Sequence, residues 1–220
     1  MIRSLMIFLA SLLVVAMTLG ETCAQSPFPS VDELSTVDKL PDPFQFFHSE
    51  RRVKDKKDWE VRRAEMLRMV EHYVSGPTFP QTHNAKLENL QTKTVYNGKA
   101  THHTPRLAMG PGHAIQCTFE YLVPNTNGPK PLLFYICPRR EYADETIPWR
   151  ERIIDRGYAF VWVIVGQFNG YDDHGPVKDA FPEIEGNTMM AWVWGINEVI
   201  YYFDNAHDID NVIVTGTSRF

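Results

Sequence analysis

The order of apolar and polar positions divides the chain into five stretches. From Leu5 to Leu19 the residues are uncharged and mostly apolar, with Arg3 before them and Thr22, Cys23 and Ala24 after. A basic head, an apolar run and a small-residue end make up a secretory signal peptide. The run falls short of the about 20 apolar residues that a spanning helix needs. A signal peptide over residues 1–24, cut after Ala24, is therefore favoured over a membrane anchor, and Glu21 and Thr22 are poor neighbours for lipid attachment at Cys23. Residues 25–57 are polar and carry Pro27, Pro29, Pro41 and Pro43, an extended lead-in. Asp58 is expected to cap a helix in which Trp59, Ala64, Leu67, Val70 and Val74 recur at near-helical spacing, ended by Gly76 and Pro77.

From Ala85 to Pro124 the period changes to alternation. "KLENLQTKTVY" and "HAIQCTFEYLV" read as antiparallel strands joined through "AMGPG". Two compact apolar runs follow, "KPLLFYIC" and "YAFVWVIV", each fitting a strand buried on both faces, with the short helix "TIPWRERIIDRGY" between them. Pro148 sits in its first turn and Gly157 at its end. Asn187 or Thr188 then caps a long helix whose Met189, Val193, Ile196, Ile200 and Phe203 step by four, three, four and three. "DIDNVIV" reads as a third buried strand. This βαβ order predicts an α/β fold, with helices on both faces of a mixed, mostly parallel sheet.

Composition adds a few exclusions. With 44% hydrophobic and 12% aromatic residues, the chain can pack a core, and 220 residues suit one ordinary domain. A formal charge of −5 gives no electrostatic reason to expect nucleic acid. The basic cluster Arg51–Lys57 is interrupted by Asp55 and reads as a solvated face. After signal cleavage Cys117 and Cys137 remain; a disulfide and two buried thiols both stay open.

The chemistry gathers where "NVIV" runs into Gly216, Thr217, Ser218 and Arg219. Sites in open α/β sheets lie beyond the carboxyl ends of the strands. A nucleophile elbow places a serine on a sharp strand-to-helix turn, exposing the hydroxyl and aiming the next N–H at the oxyanion. Small residues are needed where strand and helix backbones nearly touch. Gly216 supplies one, but Phe220 stands where a strict G-x-S-x-G has its second glycine. The tripeptide alone is a weak signal; the strand and helix order before it makes Ser218 a candidate nucleophile.

"LPDPFQFF" at Leu40–Phe47, "DWEVRRAEMLRMVEHYVSGPTFP" at Asp58–Pro80, "MAWVWGINEVIYYF" and "VTGTSRF" together resemble glucuronoyl esterases, carbohydrate esterase family 15. The resemblance spans most of the chain after the signal peptide. It implies an α/β-hydrolase three-layer sandwich over residues 58–220, incomplete because the chain ends at the elbow. It also implies serine-esterase chemistry without metal or cofactor, on esters joining 4-O-methyl-glucuronic acid of plant cell-wall xylan to a lignin alcohol. By position, Ser218 matches the nucleophile, and Arg219 matches the arginine that assists the oxyanion. Thr217 departs from the family's G-C-S-R-x-G-K elbow, so a disulfide anchored at that cysteine is absent. Acid and histidine follow the serine in this fold class. Both are expected beyond residue 220, and the 220-residue chain is expected to be inactive alone.

The rivals are an acetyl-xylan esterase or other hydrolase on the same fold and, from another class, an exported carbohydrate-binding protein that has lost the triad. Several further residues are weighed against plain structural roles. Asp172, Asp173 and His174 in "GYDDHG" read as a polar loop rather than a metal site, though the loop follows a buried strand and borders the expected cleft. "THHT" at Thr101–Thr104 reads as a surface turn. Trp192 and Trp194 read as core rather than sugar platforms. Arg139, Arg140 and Glu141 are weak candidates for cleft lining.

Overall fold

The computed structural model describes residues 28–47, 49–138, 149–206 and 209–218. The proposed signal peptide, Arg139, Arg140, Glu141, Pro148 and Arg219 lie outside the described residues. Two compact units divide the chain, Met1–Met69 and Val70–Phe220.

In the first unit a helix, α1, spans Lys56–Val70. Its cap is Asp55, not Asp58: the Asp55 carboxylate accepts the Asp58 N–H at 2.8 Å, and the Asp55 carbonyl takes the first helical bond from Trp59. Asp58 reaches back instead to the Lys54 N–H and pairs with Arg51. The expected apolar face is not buried, since Leu67 and Val70 are half exposed. The helix buries Arg62, whose guanidinium donates to the Pro43 carbonyl at 3.1 Å and pairs with Glu65. Glu65 in turn accepts the Phe47 N–H. A charged side chain with all these partners can be buried, and apolar spacing alone gives no sign of it.

Past Val70 the helix continues as a π turn, Glu71–Ser75. Gly76 ends it at φ +67, and a side chain there would run into the Glu185 carbonyl. In the second unit seven strands form one sheet: β1 (Lys86–Val95), β2 (Ala100–Met109), β3 (Ile115–Thr118), β4 (Glu120–Pro124), β5 (Lys130–Cys137), β6 (Ala159–Ile164) and β7 (Ile209–Thr215). Their order is β1-β2-β4-β6-β5-β7, with β3 beside β2. β5 runs parallel to β6 and β7; the pairings among β1–β4, and β4 with β6, are antiparallel.

The sequence reading needs three corrections here. β2 was not foreseen; it holds Thr101–Thr104 in mid-strand rather than in a turn. Its histidines are covered by rings: His102 stacks on Trp162 at 5.7 Å and His103 on Tyr121 at 4.4 Å. The β1–β2 hairpin turns at Asn97 and Gly98, both with positive φ, so "AMGPG" joins β2 to β3 instead. β7, finally, is not buried. Among the described residues it pairs with β5 alone, and Ile213 and Val214 are about half exposed.

β5 and β6 are covered on both faces, as their apolar runs predict. Leu132, Phe134, Ile136, Val161 and Val163 face one core. That core is closed by helix α4 (Thr188–Ala206) through Ala191, Trp194, Val199 and Phe203. Phe160, Trp162 and Cys137 face the other, closed by α2 (Arg150–Asp155) through Ile153 and Ile154. A short helix, α3 (Pro176–Ala180), lies between β6 and α4 in sequence. Helix, sheet and helix make the three layers of an α/β-hydrolase sandwich. Cys117 belongs to the α4 side and Cys137 to the α2 side, so the sheet separates them and no disulfide joins them.

Asn187 caps α4, its side-chain oxygen accepting the Met190 N–H at 3.2 Å. The buried face is rotated from the expected one, because Met189 and Val193 point outward while Trp192 and Trp194 are buried. Gly195 lies against the Phe168 ring so closely that a methyl there would overlap it. Gly195→Ala is expected to destabilise the fold by about 1–2 kcal/mol, the overlap outweighing the helix-propensity gain. Chemical denaturation of the two proteins checks this.

Candidate active site

The strand order reverses at β5. The chain passes from β5 through α2 to β6 on one side, then through α4 back across to β7 on the other. Such a reversal opens a crevice at the carboxyl ends of the two strands that flank it, here β5 and β7. β5 and β7 run in register with Tyr135 beside Thr215. Three residues further on stand Pro138 and Ser218.

Ser218 is exposed and has φ +64. A serine in the left-handed region carries strain of about 1–2 kcal/mol. Gly216 and Thr217 separate it from the end of β7. A strained, solvent-facing serine on the turn leaving a parallel strand is the geometry that an elbow requires. Two cavities, of about 230 and 200 Å³, open elsewhere in the second unit, and Ser218 lines neither.

The loop after β6 stands at the same end of the sheet. Asn169 is fully buried: its amide donates to the Thr188 hydroxyl at 3.0 Å, and its carbonyl takes the Trp192 indole N–H at 2.8 Å. The Trp194 indole donates to the Pro80 carbonyl at 2.9 Å. Both tryptophans are thus core residues with their polar edges satisfied. Gly170 N–H donates to the His174 carbonyl at 2.6 Å, closing the tip. Asp173 binds Lys178 at 2.6 Å and the Thr188 hydroxyl at 2.7 Å. Asp172, Asp173 and His174 are therefore not gathered on one point, and no group of three or more metal-type ligands occurs among the described residues.

Lys178, and after it the Thr188 hydroxyl, hold the Asp173 carboxyl below the usual carboxylate range. A depressed folded pKa stabilises above the unfolded value, about 3.9, and this contribution is lost as pH falls through the folded value. Asp173→Asn should cost at most about 1 kcal/mol near pH 7, the pair being half exposed. The gap from the parent should close as pH falls through the folded value. Urea unfolding as a function of pH measures it.

Tyr171 was overlooked in the sequence, although it stands inside the quoted loop. Its hydroxyl donates to the Pro138 carbonyl at 3.3 Å, its ring meets Trp192 edgewise at 5.1 Å, and it is 47% exposed. An aromatic residue in an otherwise polar loop was the available signal.

The fold is that of an α/β-hydrolase, and the chain is related to carboxylic ester hydrolases. No protein-family profile matches the chain. It is 27% identical over 194 residues to a 4-O-methyl-glucuronoyl methylesterase of Phanerochaete carnosa, covering 83% of this chain and 44% of that protein. It is 25% identical over 188 residues to the 4-O-methyl-glucuronoyl methylesterase of Schizophyllum commune, covering 82% and 44%. The chain thus spans less than half the length of these relatives. The solved glucuronoyl esterase of Solibacter usitatus superposes with a TM-score of 0.66 at 21% identity, over 84% of this chain and 58% of that one. In sequence and in fold, the chain resembles glucuronoyl esterases.

Proposed function

We propose that this chain carries the nucleophile of a serine esterase that cleaves esters of 4-O-methyl-glucuronic acid. The observation that carries the reading is Ser218, exposed at φ +64 beyond β7 where the strand order reverses. The substrate class follows the two methylesterases to which the sequence is similar.

In this mechanism Ser218 Oγ attacks the ester carbonyl while a histidine removes its proton. The backbone N–H of residue 219 and the Arg219 guanidinium stabilise the developing oxyanion, where a charged donor is worth most. Loss of the alcohol leaves an acyl-serine, which water hydrolyses to the free uronic acid. The acid and histidine of this fold class follow the serine in chain order, and the reaction needs both of them together with Ser218. Residues 1–24 would direct export and then be removed as a signal peptide.

Benzyl glucuronate is the test substrate. Full-length protein should release benzyl alcohol without added metal. No turnover of this ester, or of a methyl glucuronate, would sink the reading.

A further inference from the structure

We propose that Tyr171 is a substrate-binding residue of this crevice, its ring serving as the platform on which the sugar beside the scissile ester lies. The inference rests on the esterase reading above and names what holds the carbohydrate. Placement comes first. The Tyr171 hydroxyl is tied to the carbonyl of Pro138, three residues past Tyr135 on β5; Ser218 lies three residues past Thr215, the β7 partner of Tyr135. Tyr171 therefore stands over the strand neighbouring the serine's own, at the same end of the sheet.

Exposure comes second. Trp192 beneath it is 3% exposed, whereas Tyr171, meeting it at 69°, is 47% exposed. Third, the loop is fixed before any ligand arrives. Asn169 is buried against Thr188, the Thr188 hydroxyl also reaches the Gly170 carbonyl at 3.2 Å, and Asp173 is held by Lys178. A platform already held in place costs little ordering entropy on binding. One face of a pyranose is a row of C–H bonds, apolar enough to lie on an aromatic ring while its hydroxyls stay hydrated. Tyrosine, with an apolar body and a polar tip anchored at Pro138, suits that contact.

The test uses full-length protein and a glucuronoxylo-oligosaccharide. Binding is measured by calorimetry on a Ser218→Ala background, so that it does not depend on turnover. Tyr171→Ala should weaken binding about tenfold, whereas Tyr171→Phe, which keeps the ring, should stay within about threefold. In the parent with Ser218, Tyr171→Ala should raise KM for the oligosaccharide ester by a similar factor and leave kcat within about twofold. Unchanged binding in Tyr171→Ala overturns the proposal even if the parent is an active esterase. Equal losses in Tyr171→Ala and Tyr171→Phe also overturn it, because the hydroxyl tie rather than the ring would then matter. Failure of the parent to cleave any uronate ester overturns the esterase reading instead, and the binding comparison still decides Tyr171.

Discussion

Ser218→Ala in the full-length protein should lower kcat for benzyl glucuronate by at least about 10⁴-fold while leaving KM within a few fold. In the proposed mechanism the hydroxyl forms the bond to the substrate carbon, and alanine offers no group in its place. Residual activity would come from the oxyanion donors and substrate positioning alone. Folding should be unaffected, because Ser218 is exposed and comes after the last residue of β7. Alanine tolerates φ +64 no better than serine does, so any change in stability should stay within about 1 kcal/mol. A variant with a tenth or more of the parent's kcat would show that another nucleophile performs the reaction.

The second large effect concerns stability. Glu198 on α4 is fully buried. One of its carboxylate oxygens accepts three donors: the Thr82 N–H at 2.6 Å, the Thr82 hydroxyl at 3.0 Å and the His83 N–H at 3.0 Å. His83 sits at φ +48 and its ring lies tilted against Tyr201, centroids 4.3 Å apart, so its backbone strain is held in place from α4. Glu198→Ala leaves the two part-buried backbone N–H groups without this acceptor, while the Thr82 hydroxyl can turn to the Asn84 side-chain oxygen at 3.0 Å. At about 1–3 kcal/mol for each unsatisfied group, partly relieved by entering water, the expected loss is roughly 3–5 kcal/mol. For a domain of this size, the melting temperature should fall by about 10 °C. Glu198→Gln keeps an acceptor oxygen in the same place and should cost less than half as much. Equal losses in the two variants would mean that volume, not hydrogen bonding, is at stake. A loss under about 1 kcal/mol in the alanine variant would remove Glu198 from the account.

The parts of the fold legible in the sequence were those with a strong local signal. "KPLLFYIC" and "YAFVWVIV" are buried on both faces because both halves of their alternating side chains are apolar, and Asn187 caps α4 because its side chain reaches the Met190 N–H. The misread parts depend on distant partners. β2 looks polar at "THHT", yet Trp162 on β6 and Tyr121 on β4 cover its two imidazoles. Asn97-Gly98 is a standard hairpin pair and was available to be read. In α1, Arg62 is buried by virtue of Pro43 and Glu65, which no periodicity count registers. At the candidate site the sequence pointed to Ser218 through Gly216 and the strand before it. It could not supply the backbone angle, which depends on how β7 leaves the sheet, nor the register that sets Pro138 and Ser218 at one end of neighbouring strands. Tyr171 was hidden for the same reason, since its nearness to Pro138 arises from the parallel pairing of β6 with β5.

The central claim is that Ser218 is the nucleophile. Full-length protein should be treated with a fluorophosphonate, which phosphorylates activated serines, and digested for mass spectrometry. The account predicts one adduct, on Ser218, with loss of esterase activity in step with labelling. Activity lost with the adduct on a different residue, or ester hydrolysis persisting after Ser218 is fully labelled, would contradict it.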